Sequence, residues 1–115
     1  MGREHIEDSL AMEMKRGTLV LCVLLLADEP FYGYSLVSEM QKKGVDVEAN
    51  TLYPLLRRLS SQGLLSDSWD TSQSKPRKYY QITNEGKEVR TSILKTWTNM
   101  ADAVENMTAS LKKKK

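Results

Sequence analysis

Cysteine occurs once in the 115 residues, at Cys22, so the chain cannot close a disulfide on itself. That cysteine sits in the apolar run Leu19–Ala27, where a thiol behaves as a small hydrophobe rather than as an exposed redox sensor. Histidine also occurs once, at His5, in a segment expected to fray. No His/Cys/Asp cluster has metal-ligand spacing, so no metal site is expected. A glycine-rich phosphate loop, a GxSxG elbow and a His-assisted nucleophile are all missing, and nothing points to an enzyme or a cofactor. The run from Leu19 to Ala27 falls well short of the roughly 18 apolar residues that cross a bilayer. Met1–Arg16 mixes charged and apolar residues without the apolar centre of a signal peptide. A cytoplasmic protein without membrane contact is therefore expected. Charge of one sign is lacking too, with 17 Lys and Arg against 15 Asp and Glu and a net charge of +2. A hydrophobic content of 40% excludes a disordered chain, and the length suits one domain.

What is present concentrates between Asn50 and Thr83. Leu52, Leu55, Leu56 and Leu59 recur at i, i+3, i+4 and i+7, the stripe of an amphipathic helix. Asn50, Pro54, Arg57 and Ser61 lie on the opposite face, with Tyr53 and Arg58 on its flanks. Amide, phenol and guanidinium groups so placed suit base edges and phosphates. Gly63 stops the helix. A less regular strand follows from Leu64–Leu65, in which Trp69 is expected to pack in the core or the hairpin rather than to touch a ligand. After the polar turn Asp70–Arg77 comes a second strand, Lys78–Thr83, rich in aromatic and β-branched residues. Arg57, Arg58, Lys75, Arg77 and Lys78 against Asp67 and Asp70 give this segment +3, more than the whole chain's +2. A helix followed by a basic hairpin is the layout of a winged helix, with a local electrostatic footprint for nucleic acid. A solvated surface helix with a charged hairpin is the plainer alternative.

Two helices are expected before this segment. The first spans about Ser9–Ala27 and is broken by Asp28-Glu29-Pro30. The second spans about Tyr34–Lys43, with Leu36, Val37 and Met40 inward and Gly44 as its stop. After the hairpin, Asn84 is read as the N-cap of a long helix reaching about Leu111. In it Ile93, Trp97, Met100, Val104, Met107 and Leu111 step by 4, 3, 4, 3 and 4, a coiled-coil seam. Such a helix is roughly 40 Å long, too long to bury its stripe on so small a domain. The stripe calls for a second copy of the chain, with a helix folded back on its own domain as the alternative. The expected division is a mainly α winged helix-turn-helix with a small β-hairpin over 1–83 (wing about 65–83), a dimerisation helix over 84–111 and a mobile basic tail over 112–115.

Tyr32-Gly33-Tyr34, the run Thr51-Leu52-Tyr53-Pro54-Leu55-Leu56-Arg57-Arg58-Leu59, Gly63-Leu64, Pro76-Arg77-Lys78-Tyr79-Tyr80 and Thr83-Asn84-Glu85-Gly86 together resemble the PadR family of bacterial transcriptional regulators. The resemblance covers about Leu19–Trp97, and the single helix after the wing resembles the small subfamily. It implies a homodimeric winged-helix repressor on palindromic double-stranded DNA, with half-sites about one turn apart. It also implies, as in multidrug-sensing members, a small aromatic or drug-like ligand between the two copies of Trp97. Two departures stand out: Glu48 replaces a Ser-type cap before the recognition helix, and Ala101 replaces an acidic residue of drug-sensing members.

The residues expected to meet DNA are Asn50, Tyr53 and Arg57 in the major groove, with Pro54 and Arg58 on the same helix. Tyr32, Tyr34, Ser35 and Thr51 are expected at phosphates, and Lys75, Arg77 and Lys78 on the wing. Thr18, Leu19, Cys22, Trp97, Met100 and Val104 are the candidate ligand residues. Ile93, Trp97, Met100, Val104, Met107 and Leu111 are the candidate dimer seam. A winged-helix module that docks on protein is the competing function.

Overall fold

Alternation of leucine and polar residues turns directly into layers. The computed structural model describes residues 2–113. Its elements run α1 (Arg3–Leu25), β1 (Phe31–Tyr32), α2 (Gly33–Lys42), α3 (Ala49–Ser61), β2 (Leu65–Asp70), β3 (Arg77–Ile82) and α4 (Asn84–Lys113). Leu52, Leu56 and Leu59 of α3 are fully buried. They join one core with Val23 and Leu24 of α1, Leu36 and Met40 of α2, and Leu65, Tyr80 and Ile82 of the sheet. Each leucine so buried contributes roughly 1.5–3 kcal/mol. Gly44 and Gly63 close α2 and α3 at φ +99° and +80°, a backbone region that residues with a Cβ rarely enter.

The sheet has three strands, in the order β1-β3-β2, rather than the expected hairpin alone. Leu65 pairs with Ile82 and Asp70 with Arg77 along the hairpin, while Phe31 and Tyr32 pair with Tyr80 and Tyr79. A two-residue strand carries no periodicity, so β1 leaves no mark in the sequence. It exists because the segment after α1 is drawn against β3, where Phe31 stacks on Tyr80 at 5.7 Å.

Other expectations need correction. α1 begins at Arg3, not near Ser9, so His5 is helical. No breaker separates Arg3 from Ser9, and Arg3, Glu4 and Glu7 propagate a helix well. It ends at Leu25 instead of Ala27, and the Ala27 carbonyl accepts the Ile82 N–H at 2.9 Å rather than a helical partner. Asn84 lies inside α4, and Thr83 caps it, its Oγ1 accepting the Gly86 N–H at 3.0 Å. Lys112 and Lys113 continue α4 rather than forming a mobile tail, and Lys114–Lys115 lie outside the described residues. Glu48 precedes α3 without any side-chain capping bond, as its length suggests.

Arg90 fastens α4 to the end of α1, donating to Asp28 Oδ1 at 2.9 Å and to the Leu24 carbonyl at 3.3 Å. Val89 and Ile93 pack on the core. Beyond them the stripe is bare: Trp97, Met100, Val104, Met107 and Leu111 are 47% to 68% exposed. Ile6, Leu10 and Met14 of α1 are also exposed. Among the described residues no helix is long and apolar enough to cross a membrane, and no His/Cys/Asp/Glu group is placed to hold a metal ion.

Candidate nucleic-acid interface

The start of α2, the outer face of α3 and the hairpin stem meet around a cavity of about 390 Å³. Its wall holds Tyr32, Gly33, Tyr34, Tyr53, Arg57, Trp69, Arg77, Lys78 and Tyr80. Six of the twelve residues expected at DNA are thereby brought together. Tyr53 stands over the first turn of α2, where a Cβ on Gly33 would come within 2.5 Å of its ring. Gly33 thus lets α3 approach α2, and Tyr53 keeps one edge open to solvent at 38% exposure.

Arg77 is held from three sides. Its Nη1 donates to the Tyr34 hydroxyl at 2.8 Å, and its guanidinium lies 5.3 Å from the Tyr32 ring centre and 5.6 Å from that of Tyr34. The two tyrosines stack on one another at 5.9 Å with their planes 10° apart. Lys78 lies 3.9 Å from Asp67 Oδ2 and over the rings of Trp69 and Tyr80, at 5.9 and 5.7 Å. Asp67 also accepts from the Ser60 hydroxyl, which ties the hairpin to the end of α3. Burial, then the neighbouring Asp67 charge, raises the Tyr80 phenol above its ordinary range, so it stays neutral.

The remaining expected residues lie outside this cavity. Asn50, Thr51, Pro54 and Arg58 are exposed on α3, and Lys75 is exposed in the loop before β3. Ser35 is half-buried, and its hydroxyl donates to the Tyr32 carbonyl at 2.8 Å. Trp69 packs on the hairpin and not in the core. It pairs with Lys78 across the hairpin but is 61% exposed on the cavity wall. Of β2, only Leu65 reaches the core, so alternation says little about its outer half. Asp70 was also missed, because a single acid among cations reads as a solubilising turn residue.

A second cavity of about 800 Å³ opens between α1 and α4. Of the candidate ligand residues Thr18, Trp97, Met100 and Val104 line it, together with Glu13, Met14, Gly17, Leu21 and Ala101. Leu19 does not, since helix geometry turns it into the core. Cys22 does not either; it packs half-buried against the core, and burial raises its thiol pKa.

Residues 20–92 match the transcriptional regulator PadR-like family, which is well over half of the chain. The chain belongs to the PadR-like family of transcriptional regulators. That assignment makes it a regulator rather than an enzyme. This PadR-like chain is 48% identical to a PadR family transcriptional regulator from Eggerthella lenta, with a TM-score of 0.82 over 90% of this chain and 93% of that one. It is 30% identical over 93 residues to a transcriptional regulator of Mycobacterium tuberculosis, covering 80% of this chain and 87% of the relative. Bacillus subtilis PadR, solved with operator DNA, shares the fold at a TM-score of 0.62 and 22% identity, over 67% of this chain and 45% of that one. The mainly helical architecture with its small antiparallel sheet is the winged helix of this family.

Proposed function

We propose that the PadR-like chain is a homodimeric repressor that binds a palindromic operator, placing α3 in the major groove and the hairpin against the backbone. The convergence of Arg57, Arg77 and Lys78 on one aromatic-walled face carries this reading. Arginine forks and tyrosine hydroxyls are phosphate and base-edge donors, and a rail of cations supplies salt-dependent affinity. Asn50, Tyr53, Pro54, Arg57 and Arg58 present the reading face, and Thr51, Tyr32, Tyr34 and Ser35 border it. The operator complex of Bacillus subtilis PadR, built on the same fold, supports DNA as the partner. The bare α4 stripe supports the dimer.

Selection of bound duplexes from random DNA tests the proposal, and recovery of a palindrome is the expected result. No enrichment, with affinity indifferent to salt, would favour a protein-docking module instead. On the recovered site Arg57→Ala is expected to cost about 1–3 kcal/mol with relaxed base preference. Lys75→Ala should weaken all sequences alike and reduce the salt slope, which competition titrations at several salt concentrations would measure.

The α1/α4 cavity supports a flat aromatic ligand whose binding shifts the spacing of the two reading heads. Ala101 brings no acid to that wall, but Glu13 of α1 does, and it suits a cationic ring system. In a Trp69→Phe background, planar cationic dyes are expected to quench the remaining indole. Dye binding followed by dye fluorescence should weaken by roughly tenfold in Trp97→Ala. Undiminished dye affinity would locate the ligand elsewhere.

A further inference from the structure

Asp70 is an acid beside a face whose proposed role is to meet a polyanion, joined to it through Tyr32. Simple electrostatics makes it a liability, yet it has more hydrogen-bond partners than any neighbouring charge. Its Oδ2 accepts the Tyr32 hydroxyl at 2.6 Å. Its Oδ1 accepts the Ser72 N–H at 3.0 Å and the Ser72 hydroxyl at 2.6 Å. Asp70 is the last residue of β2 and stands opposite Arg77 in the hairpin register. One carboxylate therefore starts the wing turn and also ties the wing stem to the residue that leads into α2. The tyrosine it holds is the one whose ring lies under Arg77 and stacks on Tyr34, which in turn accepts from Arg77.

We propose that Asp70 is a positioning residue for DNA recognition: through Tyr32 it sets the stem of the wing and the direction of the Arg77 guanidinium. This rests on the operator-binding reading above. The chemistry favours a carboxylate there over a neutral side chain. It accepts three bonds at once, and charge-assisted bonds are about twice as strong as neutral ones. At physiological pH the acceptor is ionised and the donor protonated. The Ser72 hydroxyl first, then the Tyr32 hydroxyl, lower the Asp70 carboxyl from 3.8 to about 2. The bond to Asp70 is the main cause that raises Tyr32, which keeps the donor protonated. The contribution is complete above the ordinary carboxylate range and is lost only as pH falls towards about 2.

The test turns on sign. Asp70→Ala and Asp70→Asn remove the same negative charge, so an electrostatic role alone predicts the same gain in affinity for any duplex. A positioning role predicts that Asp70→Ala loses about tenfold on the selected operator, and Asp70→Asn less, because its amide oxygen still accepts. It also predicts no further loss from Asp70→Ala in an Arg77→Ala background, since the two act through one another. Ultraviolet titration of the phenols gives a readout that mere loss of stability would not move. Asp70→Asn should lower one tyrosine titration, and the change should vanish in Tyr32→Phe. Tighter or unchanged operator binding by Asp70→Ala, or an undiminished loss in the Arg77→Ala background, would overturn the proposal. A wild-type protein that does not distinguish the operator from random duplex would overturn the operator reading itself, whereas the phenol titration would still report the clamp.

Discussion

A protein carrying Val104→Glu and Met107→Glu is expected to run as a single protomer at micromolar concentration and to lose at least about a hundredfold in operator affinity. Both side chains are more than half exposed in the isolated chain, at 55% and 68%, and both lie in the row that begins with the core-packed Ile93. Contiguous apolar surface of this kind suits contact with a second copy. Two glutamates in such a seam would have to lose their water without a partner, which costs several kcal/mol per charge. Without the second copy each recognition helix binds alone, and the gain from linking two half-sites disappears. Thr98→Glu, on the outer side of the same helix, should change neither mass nor affinity. Sedimentation or light scattering, read beside the titration, decides the matter: a double variant that stays dimeric means that another surface joins the copies.

The second large effect is on folding. Gly86→Ala is expected to destabilise the chain by about 3 kcal/mol. For a domain of this size that lowers the melting temperature by about 10 °C. Gly86 is buried, and a Cβ there would collide with the Leu64 carbonyl oxygen and approach Ile82 Cγ1. Leu64 cannot retreat. Its carbonyl accepts the Thr83 N–H at 3.1 Å, and its own N–H donates to the Leu59 carbonyl at 2.9 Å. The first turn of α4 is therefore pressed onto the junction of α3 and β2, with Thr83 bonding the Gly63 carbonyl beside it at 2.7 Å. Thermal melting followed by circular dichroism measures the loss. An unchanged midpoint would mean that this junction yields more easily than its hydrogen bonds indicate. Gly86 thus has a packing reason.

The two effects separate what could be read in the chain from what could not. The leucine stripe of α3, the glycine stops, the aromatic strand β3 and the long apolar stripe of α4 were all legible, because each is a local pattern of residue types along one element. The concentration of cations between Asn50 and Thr83 was legible for the same reason, as a property of neighbouring residues. Less could be read where the deciding contact joins distant residues. Strand β1 depends on pairing of Phe31 with Tyr80. The departures of Leu19 and Cys22 from the ligand group follow from which side of α1 meets the core. The exposure of Trp69 follows from the core ending at Leu65.

Sequence alone determined the class of the protein, a winged helix with a long apolar-striped helix behind it, since periodicity and turn residues act locally and leave a local signature. Tertiary structure alone decided which cations share a face with which aromatics. It also decided that Glu13 faces the α1/α4 cavity and that Asp70 holds Tyr32. Those pairings span up to tens of residues of chain, and an approach of that kind is set by how helices and sheet pack, which no spacing along the backbone encodes.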